Sequence, residues 1–188
     1  MEYSNNKVAG VLFFIAATQF VLGLSIAEAL YPGYSISTNY ISDLGVGPSS
    51  MVFNMSIFLL GLLSIIGIYF LYRAYNLKMI IILFTIAAVA AMGVGIFTEN
   101  NLLMHTLASV FVFLFSGLSA ISSYKITKYP FNIIVILLGL ISLVAMILFM
   151  GTIYVGLGVG GMERMIVYPI LIWMIGFGGF LIAIPEKS

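Results

Sequence analysis

Four side chains able to bind or titrate are conspicuous in a chain that is otherwise almost entirely apolar: Asp43, His105, Glu163 and Arg164. They come from three separate places in the sequence. An arginine beside carboxylates binds polar and anionic groups through charge-assisted hydrogen bonds, and a histidine titrates near neutral pH. We therefore predict that these four residues form one polar pocket, whose ligand is a lipid head group or another small polar or anionic molecule.

The sequence contains few residues that could form a metal site or a covalent catalytic site. A zinc site would have to combine His105 with carboxylates such as Asp43 and Glu163, and no metal-binding motif joins these positions, so we predict no metal site. The absence of cysteine excludes disulfides, thiolate ligands and cysteine nucleophiles, and a single histidine excludes bis-histidine haem within this chain. No catalytic residue, cofactor or enzyme class can be assigned, and these three questions stay open.

A glycine-rich stretch, GLGVGGMERMIVYP from Gly156 to Pro169, opens the last apolar segment. Backbone N–H groups at the start of a helix bind anions, and Arg164 would reinforce such a site. No strand precedes the glycines, so they are not a dinucleotide-binding fingerprint. A structural interpretation also stays open, in which the glycines form a turn and Arg164 pairs with Glu163 or Asp43.

Composition identifies the surroundings of these residues as lipid. Charged residues make up 7% of the chain and apolar residues 63%, whereas a soluble domain carries about a quarter charged residues. Apolar runs of about 20 residues cross a bilayer as helices. Six such runs are present: Val8–Leu30, Met51–Tyr72, Met79–Phe97, Leu102–Tyr124, Phe131–Tyr154 and Met165–Ile184. We predict an all-α integral membrane bundle of six transmembrane helices, forming one domain over residues 1–188. The net charge of +1 gives no footprint for nucleic acid, so the expected partners are membrane lipids and other membrane protein subunits.

Basic residues indicate which way the spans point. With six spans, one side carries six basic residues and the other carries only Arg164. The six are Lys7, Arg73, Lys78, Lys125, Lys128 and Lys187. Basic residues concentrate in cytoplasmic segments, so we predict cytoplasmic N- and C-termini and a multi-pass protein of the cell membrane. The stretch SIAEA before Leu30 resembles a signal-peptide cleavage site, but the apolar run is longer than a typical signal core, and we predict that it stays as the first span.

The polar loop STNYISDLGVGPSS, Ser37 to Ser50, then lies on the external side. We predict that it forms an ordered turn over the mouth of the bundle. Asp43 is expected to accept backbone N–H groups, and glycines such as Gly47 allow unusual φ angles. The apolar side chains of Ile41 and Leu44 are expected to point into the bundle.

Two of the spans share a sequence pattern. FNMSIFLLGLLSII from Phe53 and FNIIVILLGLISLV from Phe131 match at Phe, Asn, Leu-Leu-Gly-Leu and Ser. Three spans per half would form an inverted repeat of the kind found in transporters, and convergence of common apolar residues is the alternative. Gln19, in the middle of the first span, is expected to hydrogen-bond another helix.

These motifs together resemble a known family. NYISDLG after the first span, His105 at the start of the fourth and GMERMIVYP opening the sixth resemble the domain-of-unknown-function 998 family of small polytopic membrane proteins. The resemblance implies a bundle of about six helices, and its matching positions are Ser42, Asp43, Leu44, Gly45, His105, Glu163 and Arg164. The family has no established biochemical role. Three functions therefore stay open: a ligand-binding membrane protein, a non-catalytic accessory subunit that packs onto a larger membrane complex such as a respiratory assembly, and a small transporter.

Overall fold

The computed structural model describes residues 4–184, and its secondary structure is helical. Six helices in it are long and apolar enough to cross a membrane, which confirms the predicted all-α class and the number of spans. In chain order they are α1 Asn5–Leu30, α2 Ser50–Ala74, α3 Lys78–Ile96, α4 Leu102–Ser122, α5 Phe131–Met150 and α6 Gly158–Ala183. Their ends agree with the predicted spans to within about one helical turn, except at the start of α6. Lys187, one of the basic residues used to orient the spans, lies outside the described residues.

The helices close a ring in chain order. Each packs on the next, α6 returns to α1, and a smaller contact joins α4 to α6 across the ring. Neighbouring helices are antiparallel: between α1 and α2, for example, Gly23 lies against Ser56 and Gly67 lies against Phe13. The connections after α1, α3 and α5 therefore share one end of the bundle, which we call the loop end. The connections after α2 and α4 share the other, which we call the basic end because it carries Arg73, Lys78, Lys125 and Lys128.

Aromatic side chains fill the interior between α1, α3 and α6. The rings of Trp173 and Phe177, both fully buried in α6, have centroids 5.8 Å apart, and Phe84 of α3 lies 5.1 Å from the Trp173 ring. The Trp173 indole N–H, which is costly to bury alone, donates to Ser123 Oγ at 2.9 Å. This packing fixes the rotation of α6 about its axis, and so fixes the direction of the polar side chains near its loop end.

Glycines allow α1 and α6 to touch backbone to backbone. A Cβ on Gly10 would lie 2.6 Å from the carbonyl oxygen of Gly178, and a Cβ on Gly178 would lie 2.6 Å from the carbonyl oxygen of Gly10. Small residues at a helix contact permit this approach. Because the two helices are antiparallel, the contact brings Glu28, near the end of α1, beside the first turns of α6.

The sixth helix begins at Gly158 rather than at the predicted Met165. The prediction excluded Glu163 and Arg164 because charged residues lower the hydropathy of a segment. Both residues are buried against protein partners, at 6% and 5% exposure, so the helix carries them without exposing charge to lipid. The two charged residues therefore lie in the second turn of α6.

The inverted repeat, one of the two interpretations of this sequence pattern, finds no support in the packing of the matching glycines. Gly61 of α2 packs against Ala88 of α3, whereas the matching Gly139 of α5 packs against Gly117 of α4. In a three-plus-three repeat, α2 and α3 correspond to α5 and α6, so Gly139 would face α6. The shared residues serve different contacts, which is the pattern that convergence produces.

Candidate functional site

The loop after α1 folds over the loop end of the bundle. Its 3-10 turn carries Leu44 inward, where it is fully buried, and leaves Ile41 only 3% exposed, which confirms the predicted direction of both side chains. Asp43 Oδ2 accepts hydrogen bonds from the Tyr40 N–H and from the Asn39 side-chain amide, both at 2.9 Å. Asp43 therefore stabilises the turn in which it lies, and its hydrogen bonds stay inside the loop.

Two glycines at the start of α6 let the loop lie directly on the helix. The Gly160 N–H donates to the Ser37 carbonyl at 3.2 Å, and a Cβ on Gly160 would overlap the Asn39 carbonyl oxygen. Gly158 has φ +75° and packs against Ser37 in the same way. The glycine-rich stretch thus serves contact with the loop, which takes one of the N–H groups that an anion site would have used.

Arg164 is the main link between α1, the loop and α6. Its Nη2 donates to Glu28 Oε1 at 2.5 Å and to the Tyr34 hydroxyl at 2.8 Å. Its Nη1 donates to the carbonyl oxygens of Gly160 at 3.0 Å and Ile36 at 3.3 Å. The ion pair is largely shielded from solvent, with side-chain exposures of 6% for Arg164 and 21% for Glu28.

The predicted carboxylate partners of Arg164 were wrong. Asp43 and Glu163 were expected, and the structure pairs Arg164 with Glu28 instead. Successive residues of a helix point about 100° apart, so Glu163 cannot face the same side of α6 as Arg164. Glu28 is therefore a site residue that sequence reasoning missed. Its signal in the sequence was a carboxylate at the end of an apolar run on the same side as Arg164.

The donors of Arg164 are almost all used within the protein. A guanidinium carries five N–H groups, and four protein acceptors surround the two Nη atoms. Nε is buried and has no hydrogen-bond partner among the described residues. This arrangement leaves little of Arg164 to hold an anionic ligand, and it gives the residue a role in joining the loop to the helices.

Tyr34 extends this network into the loop. Its ring centroid lies 5.5 Å from the Arg164 guanidinium carbon, and its hydroxyl donates to the Tyr40 carbonyl at 2.9 Å while accepting from Arg164. Burial raises the pKa of the Tyr34 hydroxyl, although the hydrogen bond and charge of Arg164 act in the opposite direction. The hydroxyl stays protonated at neutral pH, as its donated hydrogen bond requires.

His105 forms no hydrogen bond with the other three predicted site residues, and its partners are Phe97 and Ser109. Its Nδ1 is 2.8 Å from the Phe97 carbonyl oxygen, and because a carbonyl only accepts, Nδ1 carries a proton. Its Nε2 is 3.4 Å from Ser109 Oγ. Within the described residues, no hydrogen bond or ion pair joins His105 to Asp43, Glu163 or Arg164.

A cavity of about 80 Å³ lies beneath the loop, between α2, α3, α4 and α6. We call it the loop-end cavity. Its lining is mostly apolar, and its polar members are Ser42, Ser64, Ser109, Ser116 and Glu163. Ser64 and Ser116 donate to carbonyls of their own helices at 2.7 and 2.6 Å, so their hydroxyl protons are already used.

Glu163 is the charged residue of this cavity. Its Oε2 accepts from the buried Ile41 N–H at 2.5 Å, and its Oε1 takes no hydrogen bond from any residue that the structure describes. The lining follows α6 from Glu163 to Met174, a distance of roughly 16 Å at the rise of an α-helix. The cavity therefore carries its charged group at the loop, and its walls below are mostly apolar. Ser109, on its wall, also connects it to His105.

The residues around the loop-end cavity offer one carboxylate oxygen without a described hydrogen bond, several hydroxyl groups and apolar walls. Among the described residues, no group of three or more histidine, aspartate or glutamate side chains could hold a metal ion. Glu163 offers a carboxylate oxygen without a described hydrogen bond at the top of a mostly apolar cavity, whereas Asp43 is hydrogen-bonded within the loop and Glu28 is paired with Arg164.

Six apolar helices closed at one end by a polar loop are the architecture of a multi-pass helical membrane protein. The sequence model of one family, described as "Protein of unknown function (DUF998)", matches residues 14–179. This range covers most of the chain, and the protein belongs to that family, as the resemblance of its motifs predicted. No curated protein and no solved structure matched the chain.

Proposed function

We propose that the protein is an integral protein of the cell membrane, with both termini in the cytoplasm, and that its loop-end cavity binds a lipid-like molecule. The observation that carries this proposal is the carboxylate oxygen of Glu163, without a hydrogen bond from the described residues, at one end of a mostly apolar cavity. Ligand sites combine apolar walls with a few polar groups that fix orientation. The polar end of the ligand then lies beneath the loop, and its apolar part extends along α6.

The residues around the cavity favour a ligand whose polar end donates hydrogen bonds. A carboxylate accepts, so a hydroxyl, an amine or an ammonium group suits Glu163, and Ser42 of the loop also lines the cavity. An anionic head group would be repelled by Glu163 and would find the Nη donors of Arg164 already taken. Of the ligand classes expected from the sequence, a neutral or cationic head group therefore has more support than an anionic one.

Native mass spectrometry in a mild detergent tests this proposal, with identification of the molecules that leave the protein. Ala91→Leu places a larger side chain in the cavity wall, and Ala90→Leu makes the same change on α3 outside the lining. We expect the wild type and Ala90→Leu to retain a lipid-like ligand and Ala91→Leu to lose it. We expect Glu163→Gln to lower retention of a cationic ligand by about ten-fold, because the ion pair is removed.

The proposal would be wrong if the wild type carried no such molecule, or if Ala91→Leu and Ala90→Leu retained it equally. Size-exclusion chromatography and circular dichroism of each variant distinguish loss of binding from loss of the fold. Ala90→Leu also controls for a general effect of added volume on α3.

The two other functions lack a specific supporting observation. The polar group at mid-membrane that a transporter would need is Gln19, and its amide donates to Ala16 O at 3.0 Å and to Ser56 O at 2.9 Å, which joins α1 to α2. Exposed apolar side chains on α5 such as Ile147 suit lipid as well as an accessory-subunit interface. Membrane lipids are thus the proposed partners, and native mass spectrometry would also report a protein partner.

A further inference from the structure

A second cavity lies at the basic end, opposite the loop. It has a volume of about 300 Å³ and lies between the start of α3 and the end of α4. We call it the basic-end pocket. The members of its lining that could bind a ligand are Asn76, Lys78, Ser122 and Lys125. They come from the connection before α3, from α3 itself, from the last turn of α4 and from the turn after it.

Two cations line this pocket from different segments of the chain. Lys78 opens α3 and Lys125 ends the 3-10 turn after α4. Neither forms an ion pair within the described residues, and the Lys125 ammonium lies 5.9 Å from the ring centroid of the adjacent Tyr124. The pocket therefore concentrates positive charge without a carboxylate from the described chain to balance it.

The start of α3 adds backbone donors to the same place. Leu77 precedes the helix and its side chain cannot accept a hydrogen bond, so no side chain caps the first N–H groups. Uncapped N–H groups at a helix start favour an anion. The first turn of α3, from Lys78 to Ile80, lines the pocket.

Ser122 supplies an independent sign of a ligand. It is only 6% exposed and it lines the pocket, yet its hydroxyl has no hydrogen-bond partner among the described residues. The nearby Ser119 and Ser123 both donate to backbone carbonyls of their own helical turns at 2.6 Å. The hydroxyl of a buried residue normally finds a partner, and Ser122 lies in the lining of the pocket, from which a ligand could supply one.

We propose that the basic-end pocket binds a phosphate group, with Lys78 and Lys125 supplying charge and Ser122 donating a hydrogen bond. Exposed tyrosines such as Tyr124 and Tyr129 lie at this end, as they do where a helix bundle meets the lipid head groups. The phosphate of an anionic phospholipid and a free phosphate ion share the required chemistry. This site uses none of the residues of the loop-end cavity, so it does not depend on the function proposed for that cavity.

The test compares charge-matched variants in nanodiscs made from an equimolar mixture of phosphatidylglycerol and phosphatidylcholine. The double variant Lys78→Gln/Lys125→Gln removes the two pocket charges. Arg73→Gln/Lys128→Gln removes two charges from the same end of the bundle and leaves the pocket lining intact. After transfer into mild detergent at about 0.15 M salt, where distant charges are screened, native mass spectrometry counts the lipids that each protein retains.

We expect the wild type and Arg73→Gln/Lys128→Gln to retain phosphatidylglycerol in preference to phosphatidylcholine. We expect Lys78→Gln/Lys125→Gln to lose this preference, with retention about ten-fold lower. Ser122→Ala keeps the volume of the site and should lower retention several-fold without changing the thermal midpoint. Equal losses in the two double variants, or a wild type without preference, would overturn the proposal.

A second arm distinguishes the source of the phosphate. Inorganic phosphate is titrated into the detergent-solubilised wild type, and binding is followed by calorimetry and by displacement of phosphatidylglycerol. Displacement by a soluble lipid head group such as glycerol phosphate, with no binding of inorganic phosphate, assigns the site to a lipid. Binding of inorganic phosphate that Lys78→Gln/Lys125→Gln abolishes assigns it to the free ion.

Discussion

At the scale of single residues, Arg164 shows how a buried charge is accommodated near the end of a membrane helix. An arginine without partners in such a position would be costly. Four acceptors from α1, the loop and α6 surround its two terminal nitrogens, and Glu28 balances its charge. The same contacts join three segments that lie far apart in the sequence. We therefore expect substitution of Arg164 to lower the free energy of unfolding.

The first prediction concerns the ion pair. Glu28→Gln leaves the Arg164 charge without its carboxylate, and Arg164→Gln leaves the carboxylate without its cation, so each should lower the free energy of unfolding by about 3 kcal/mol. The double variant should lose less than the sum, because both single changes break one interaction. Denaturant unfolding of the four proteins in detergent measures this. Additive losses would contradict a direct pairing.

Asp43→Asn is the matched control for this cycle. It removes a carboxylate of the same layer whose hydrogen bonds stay within its own turn. We expect the free energy of unfolding to fall by about 1 kcal/mol, the usual net contribution of a hydrogen bond. The change should add independently to Arg164→Gln, because no contact joins Asp43 to Arg164 among the described residues.

The second prediction concerns alkaline pH. Burial raises the pKa of Tyr34 above its ordinary value of 10.0. As the pH rises past the ordinary value, the unfolded chain loses this proton before the folded chain does, so the folded state holds more protons and stability falls with pH. The stability that Tyr34 contributes is fully present below its ordinary pKa of 10.0, and it is lost as the pH rises through the higher pKa of the folded state.

Tyr34→Phe removes the titrating hydroxyl, so the fall in thermal midpoint between about pH 9 and pH 12 should become shallower than in the wild type. It should not disappear, because burial also raises the pKa of Tyr40. Thermal unfolding across this pH range is the measurement. An unchanged slope in Tyr34→Phe would contradict the buried, hydrogen-bonded position of this hydroxyl.

At the scale of elements, the loop and the start of α6 form one unit. Gly160 donates its N–H to the loop, Glu163 accepts from Ile41, and Arg164 donates to Ile36. Three contacts in two turns of helix hold the loop over the cavity. The loop is consequently part of the wall of the proposed binding site, and a change in its position would alter the cavity.

The third prediction tests this contact. A Cβ at Gly160 would overlap the Asn39 carbonyl oxygen and would lie 2.5 Å from that of Ile36. Gly160→Ala should therefore displace the loop and lower the free energy of unfolding by about 2 kcal/mol. Hydrogen exchange of residues 36–41 should become faster. Thermal unfolding and exchange mass spectrometry report the two effects.

Gly179→Ala is the matched control on the same helix. Nothing lies within 4 Å of a Cβ at Gly179, so the change should be neutral or slightly stabilising, as expected for Gly→Ala in a helix. If Gly160→Ala were as mild as Gly179→Ala, the loop would not rest on α6 as closely as the structure indicates.

At the scale of the whole molecule, the two ends of the bundle differ in chemistry. Among the described residues, the acidic side chains Glu28, Asp43, Glu99 and Glu163 and one arginine lie at the loop end, and the basic end carries Arg73 and exposed lysines. Basic residues concentrate on the cytoplasmic side of membrane proteins. The loop-end cavity would then open toward the external leaflet and the basic-end pocket toward the cytoplasmic leaflet.

The fourth prediction tests this orientation. The chain has no cysteine, so single cysteines can be introduced without a background. Thr38→Cys and Asn100→Cys, both exposed at the loop end, should react with an impermeant thiol reagent added to intact cells. Asn76→Cys and Lys128→Cys, exposed at the basic end, should react only after the membrane is opened. The reverse pattern would overturn the orientation.

The sequence by itself determined the class of the protein, the number and order of its helices and the inward direction of Ile41 and Leu44. These properties depend on apolar length and local pattern, which are readable along the chain. The sequence also identified Glu163 and Arg164 as polar residues of interest. The start of α6 was predicted wrongly from the sequence. A hydropathy value treats every charged residue as exposed to lipid, although Arg164 is paired with Glu28 inside the protein.

Only the tertiary structure decided which polar residues meet. Glu28 and Arg164 are separated by 136 positions, and their pairing depends on the backbone contact between α1 and α6 and on the rotation of α6 that Trp173 and its neighbours fix. The hydrogen bonds of His105 to Phe97 and Ser109, and both cavities, likewise arise from how helix faces pack. Depth in the membrane follows from sequence, but position around the bundle axis follows from packing, and a site requires both.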